Sequence, residues 1–353
     1  MTTIADIGKK LGVSKSTVSK ALNSAQTSGR NRHESYYQET AVEMGYSKLR
    51  QNKKEAKKIC ILIENMDYTN ELHFGYHIII GFRQMAEPTG YQVDVVPIDK
   101  SMQRVSGFDA FMLQNHYLGA FILGMTLNDP WMKDLQSSRT PAVLYDNYVP
   151  ENPSTCYVGI DNSEGMNLAV KYLKRLGHRK IGYLSTSLGS YITQIRHRAF
   201  FSALKQNGLK SDPRLAGISY YVSECVQKHV PKLLEQDVTA IICCHDQMAN
   251  AAMVQCRETG HRVPEDISIV GFDDLPMCAY TEPPLTTVRQ DQLLLGKCGF
   301  NALVSLMNEV PVGTLLLHAS LVTRDSCGES NHSASQTVTG ETHYSSSSET
   351  ETA

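Results

Sequence analysis

No run of residues approaches the ~18 consecutive apolar positions that a membrane-spanning helix needs, and the N-terminus has no apolar signal core. A cytoplasmic chain without a membrane partner is therefore expected. Cysteine is present but not arranged as a framework. Nine are scattered from Cys60 to Cys327, no two form a CxxC pair, and the odd number argues against a set of disulfides. The short signatures of common enzyme chemistries are also missing: there is no GxSxG, no GxGxxG after a strand, no GxxxxGKS phosphate loop and no HExxH. Asp273-Asp274 is a paired carboxylate, but no nucleophile or cofactor signature accompanies it. His73 and His77 stand four apart with Glu71 nearby, half of a metal site if helical, and no third ligand follows at a suggestive spacing. The expectation is a non-enzyme with no cofactor and no metal.

What is present begins at residues 2–23, TTIADIGKKLGVSKSTVSKALN. Ile4, Ala5, Ile7 and Leu11 fall at helical spacing, Gly12 supplies a turn, and Ser14 can cap a second helix whose Val18, Ala21 and Leu22, together with Val13, face the first. Lys15, Ser16, Thr17, Ser19 and Lys20 are left outward. Short hydroxylated and cationic side chains at a helix N-terminus fit the major groove of DNA. An ordinary amphipathic hairpin has the same spacing, and charge separates the two readings. Residues 1–58 hold 12 Lys and Arg against 5 Asp and Glu, a balance of +7, which leaves 22 against 31, or −9, in the other 295. The near-neutral total of −2 conceals a basic head on an acidic body, the electrostatic footprint of nucleic-acid binding.

A third head helix is expected over Arg32 to Met44, then a polar linker, SKLRQNKKEAKK. From Lys58 the pattern becomes short β-rich runs alternating with helices: KICILIE, YQVDVVPI, GAFILG, PAVLYD, KIGYLS, TAIICC and ISIVGFD. That alternation predicts parallel α/β units, and the length suits two sheets. A helix from Asn162 to Leu176 places Met166, Ala169, Leu173 and Leu176 on one face. The segment KSMQRVSGFDAFMLQNHYLG (100–119) is expected to carry one helix. The Ser-, Thr- and Glu-rich tail from about 328 has too few apolar groups for a core, so disorder is expected there.

The head, together with IRHRAFFSALKQNGL (195–209), EDISIVGFDDLPMCAYTEPPLTTVRQD (265–291) and LVTRDSC (321–327), closely resembles the lactose-repressor/galactose-repressor family of bacterial transcription factors over residues 2–327. The resemblance implies an all-α helix-turn-helix head over 1–46 and a linker over 47–58. It further implies a two-lobed α/β domain of periplasmic-binding-protein type over 59–327. The first lobe would take 59–160 plus 290–320, the second 161–289. The function implied is a repressor of near-palindromic operator DNA, acting as a homodimer and controlled by a small polar effector between the lobes, in first place a sugar. Control by a protein partner is the alternative, and an α/β enzyme with a DNA-binding head the weaker one.

Carried over position by position, Lys15 and Ser16 lead the recognition helix, and Lys20 is a third base-reading or phosphate-binding position. Thr3, Thr17 and Ser19 are assigned to phosphate. In the cleft, Asp146 and Asp273 end strands and offer carboxylates to ligand hydroxyls, while Arg196 supplies a guanidinium fork. Phe74 and Tyr221 align with ring-stacking positions, and His245 stands where many relatives carry asparagine. The linker departs from the family: it is shorter, lacks the proline, and offers only Leu49 as a minor-groove wedge. Lys53, Lys54, Lys57 and Lys58 are candidates to compensate on phosphate. Dimerisation is expected chiefly through the first lobe, including helix material from Phe74 to Met85. The tail has no leucine heptads for a tetramer.

Overall fold

The computed structural model describes residues 2–23, 36–37, 40–41, 44, 46, 57–145 and 147–330. Leu49, Lys53, Lys54, Asp146, most of the third head helix and the tail beyond 330 lie outside the described residues.

The head opens with α1 (Ile4–Leu11). Its N-terminus is closed by a reciprocal capping box, Asp6 N–H donating to the Thr3 hydroxyl and Thr3 N–H to the Asp6 carboxylate. Gly12, at φ 68, ends it in the left-handed region that favours glycine. Ser14 then caps α2 (Lys15–Asn23) by accepting from Thr17 N–H at 3.2 Å. Ile7, Val18, Ala21 and Leu22 are buried between the helices, as their spacing predicts.

Two six-stranded sheets make up the body. The first contains β1 (Lys57–Ile63), β2 (Tyr91–Pro97), β3 (Ala120–Leu123), β4 (Ala142–Leu144), β5 (Thr155–Ile160) and β11 (Thr314–Leu317), in the order β11-β5-β4-β3-β1-β2 and parallel throughout. The second contains β6 (Ile181–Ser185), β7 (Ala216–Ile218), β8 (Ala240–Cys243), β9 (Ser268–Asp273), β10 (Thr286–Arg289) and β12 (Ser320–Val322), in the order β12-β10-β9-β8-β6-β7, with only β12 antiparallel. Strands β3, β4, β5, β6, β8 and β9 are buried along their whole length, as helices on both faces require.

The chain passes between the units three times: at Asp161, at Gln290–Asp291 and at His318–Ala319. The strands run parallel into these crossings, so the C-terminal ends of both sheets face one another there. On the first unit, helix Phe74–Ala86 crosses helix Gln292–Met307 at glycines. A Cβ on Gly81 would run into the Leu293 carbonyl oxygen, and one on Gly296 into that of Ile78.

Four boundaries differ from the sequence reading. β1 begins at Lys57, inside the stretch read as linker, because Lys57 and Lys58 pair in register with Tyr91 and Gln92. Ser320 starts β12 and so belongs to the second sheet. Residues 328–330 are pinned rather than loose: Gly328 N–H donates to Ser268 and Ser330 N–H to the Leu176 carbonyl. Segment 100–119 carries two helices, Lys100–Val105 and Phe108–Gln114, divided at Ser106–Gly107.

Candidate functional site

On the head, Lys15, Ser16, Thr17 and Lys20 are exposed along one face of α2, and Ser19 is half-buried beside them. Thr3 is also exposed, with its hydroxyl turned to the Asp6 carboxylate at 2.7 Å. Ser16 and Thr17 share the Ser14 hydroxyl at 2.7 and 2.8 Å. The face therefore offers hydroxyls and amines to the surface.

Where the sheets meet, helix Tyr191–Gln206 delivers Arg196 into the interior, 5% exposed. Its Nε donates to Asn162 Oδ1 at 2.8 Å, and Nη1 donates to the Cys244 carbonyl at 2.6 Å and, longer, to Asp273 Oδ1 at 3.5 Å. The guanidinium lies 3.8 Å from the Phe272 ring centroid, a desolvated cation–π contact. A buried cation needs such partners to remain charged.

Asp273 ends β9 and is 9% exposed. Burial pushes its carboxyl up, while Arg196, His245 and Gln290 oppose that. Gln290 Nε2 donates to Asp273 Oδ1 at 2.5 Å, and Tyr145 donates its hydroxyl to Gln290 Oε1 at 3.1 Å. Phe74 packs on Tyr145 with centroids 5.6 Å apart. A continuous polar chain thus runs from Arg196 on the second unit, through Asp273 and the crossing residue Gln290, to Tyr145 on the first.

The backbone here is strained. Asp273 sits at φ 119 and Asp274 at φ 54, both in the region that disfavours a side chain. Asp274 is held there by Arg289 at 2.6 Å and Arg324 at 2.7 Å.

His245 caps helix Asp246–Glu258, its Nδ1 accepting from Met248 N–H at 3.1 Å. Burial lowers this imidazole, but Cys244 and Asp273 outweigh burial and push it up to about 9. The cap pulls the other way, since a protonated Nδ1 cannot accept. The cap therefore holds His245 in the neutral form with Nδ1 unprotonated.

Of the sequence candidates, Arg196, Asp273 and His245 converge, and Phe74 joins them through Tyr145. Tyr221 does not: it is 65% exposed, and its ring partner is Tyr220 at 4.8 Å. Sequence reasoning misses Asn162, Phe272, Gln290 and Tyr145, because each acts through a partner distant in the chain. Only the position of Gln290 just after a strand could have signalled it. His73 does not stand ready for a metal, as its Nδ1 meets Thr69 and its Nε2 meets Asn70. Among the described residues, no group of three or more His, Cys, Asp or Glu could hold a metal ion, and no helix is long and apolar enough to cross a membrane.

A helix-turn-helix head joined to two α/β units whose strand ends face each other defines the class of DNA-binding proteins with a periplasmic-binding-protein-like body. A family described as periplasmic binding protein-like domain matches residues 170–327. The chain is 29% identical over 333 residues to the HTH-type transcriptional repressor CytR of Escherichia coli strain K12, covering 92% of this chain and 96% of that one. It is 28% identical over 338 residues to the repressor PurR of Pasteurella multocida, covering 92% and 98%. The lac repressor dimer bound to operator and the anti-inducer ONPF superposes with a TM-score of 0.65 at 25% identity, covering 93% and 99%. The regulator CelR in complex with cellobiose shares the fold, with a TM-score of 0.68 at 24% identity and coverage of 92% and 100%. Over more than nine-tenths of its length the chain is similar to repressors of the lactose-repressor kind, and it is a DNA-binding transcriptional repressor.

Proposed function

We propose that this repressor binds near-palindromic operator DNA as a cytoplasmic homodimer, and that a small polar ligand, in first place a sugar or sugar derivative, sets its operator affinity from the cleft between the two units. Lys15 and Ser16 would read base edges, with Lys20 beside them and Thr3, Thr17 and Ser19 on phosphate. Arg196, Asp273 and His245 would hold the ligand, with Phe74 beside its apolar face; Asp146, Leu49 and Tyr221 stay candidates from sequence alone. One observation carries this reading: the buried chain Arg196–Asp273–Gln290–Tyr145 links both units through a crossing segment. A ligand that accepts a hydrogen bond from Arg196 or donates one to Asp273 changes one end of that chain, and so the relation of the units.

The test is a thermal-shift screen of monosaccharides, disaccharides and nucleobases on the native chain, Arg196→Ala and Asp273→Asn, followed by operator titration with any hit. A compound that stabilises the native chain, fails on both variants and changes operator affinity supports the reading. If nothing shifts the native chain, the ligand reading falls and a protein partner takes its place.

A further inference from the structure

A separate pocket of ≈ 760 Å3 opens on the first unit, away from Arg196 and Asp273, lined by Gln103, Arg104, Leu127, Asp129, Lys133 and Tyr148 among others. Its volume falls in the range of small-molecule sites. We propose that it is a second ligand site, for a phosphate monoester carried on a small sugar ring.

Arg104 and Lys133 are exposed at the rim, and neither has an ion pair or side-chain hydrogen bond among the described residues. The two lining carboxylates are already engaged. Asp129 pairs with Lys100 at 2.9 Å and accepts from the Thr126 hydroxyl at 2.8 Å, while Asp134 accepts from Phe108 N–H at 3.0 Å. An entering ligand meets two cations with no partner among the described residues, against one carboxylate, Asp134, that has no ion pair among them. A phosphate monoester, carrying about −1.5 to −2 at neutral pH, balances that pair, and Arg104 can engage two of its oxygens at once.

Leu127, Pro130 and Met132 give the lining an apolar part, and the Tyr148 ring stands beside them. The apolar face of a sugar ring suits such a surface.

Position gives the site a consequence. Leu127 N–H donates to the Gly189 carbonyl at 2.9 Å, and the Tyr148 ring meets that of Tyr191 at 5.6 Å, so two lining residues also grip the second unit. Asn147, next to Tyr148, accepts from Tyr191 N–H at 3.0 Å. On the other side, Gln103 donates to the buried Glu64 at the end of β1 at 2.6 Å. A ligand here loads the loops that hold the units together, without entering the cleft.

The probes are ribose 5-phosphate and inorganic phosphate, with ribose as the neutral control, titrated by calorimetry and thermal shift into the full chain, Arg104→Ala/Lys133→Ala and Arg196→Ala. Ribose 5-phosphate is expected to bind the native chain and Arg196→Ala alike, and at least about ten-fold more weakly to the double variant, which has no cation to donate charge-assisted hydrogen bonds to the phosphate. The double variant should melt with the native chain, since both side chains are exposed. Retained binding in the double variant, failure to bind in Arg196→Ala, or no binding of either phosphate probe at millimolar concentration each overturns the proposal. None of these outcomes decides whether a neutral sugar occupies the cleft.

Discussion

Asp273 keeps a carboxylate on a backbone that would suit glycine better, at φ 119, and holding it there costs on the order of 1–3 kcal/mol. Strain of that size persists where the surroundings over-determine it, and here Arg196 and Gln290 do so. Its neighbour Asp246 is buried beside it, accepting from Leu275 N–H at 2.8 Å and from the Thr287 hydroxyl at 2.5 Å. Burial first, then the Asp273 carboxylate, push Asp246 up to about 7. In the unfolded chain it titrates at its ordinary value of 3.8. Between those values the folded state holds the extra proton, so the stability it contributes is complete below the lower value and is lost as pH rises through the upper one. Asp246→Asn is expected to flatten the fall in melting temperature between about pH 5 and 8; an unchanged slope would count against this assignment. His178 acts with the opposite sign. It is 2% exposed, with Nε2 facing the Gly328 carbonyl at 3.1 Å and Nδ1 the Thr239 hydroxyl at 2.9 Å. Burial holds its ring below the ordinary 6.5. The unfolded chain therefore takes up a proton first as pH falls, and stability is lost below that value. His178→Gln should lower stability near neutrality yet lessen the further loss toward about pH 5.5, measured as melting temperature against pH.

Among the elements, the crossing of Phe74–Ala86 and Gln292–Met307 is the least forgiving junction, because backbone rather than side chain meets each glycine. A methyl group on Gly81 or Gly296 cannot be absorbed by a rotamer change, so the helices must separate. Gly81→Ala and Gly296→Ala should each cost about 1–3 kcal/mol or more, a drop of several degrees in a thermal melt. Gly12→Ala should cost only about 1 kcal/mol through its left-handed φ, since nothing lies within 4 Å of that position. A smaller effect at Gly81 than at Gly12 would refute this account of the crossing. These glycines mark where sequence reading ends. The seven β-rich runs announce themselves by β-branched and aromatic residues in continuous or alternating apolar patterns, and each contains a strand. Five further strands carry no such signal. Ala216–Ile218 and Ser320–Val322 are three residues long, Thr286–Arg289 and Thr314–Leu317 are four, and Thr155–Ile160 (TCYVGI) mixes polar with apolar. A sheet edge or a crossing partner, not local periodicity, makes them strands. Arg196 and Asp273 are legible because family pattern and strand end coincide. Asn162, Gln290 and Tyr145 are not, because their partners lie between 17 and 145 residues away.

Across the whole molecule, the separation of charge divides the labour between head and body. The +7 head is attracted to DNA, while the −9 body is repelled, so operator affinity should fall steeply with salt, by about 0.9 in the log–log slope per phosphate neutralised. The four linker lysines do not share this work equally. Lys58 pairs with Asp94 at 3.2 Å and lies 5.7 Å from the Tyr117 ring centroid, and Lys57 stands 5.4 Å from that of Tyr91. Both belong to β1 and are tied to its neighbours. Lys53 and Lys54 precede the strand and are left as the candidates for phosphate. Lys53→Ala/Lys54→Ala is accordingly expected to reduce the salt slope by about 0.9 for each phosphate that the head no longer neutralises, with an unchanged melting temperature for the body. Lys58→Ala should leave the slope nearly intact and lower the stability of the body by up to about 1 kcal/mol, the range of a half-exposed ion pair. Operator titrations at several salt concentrations, run beside thermal melts, separate the two pairs. If Lys58→Ala changes the slope as much as the double variant does, the linker extends through Lys58 on DNA, and β1 must release its first residues when the operator is bound.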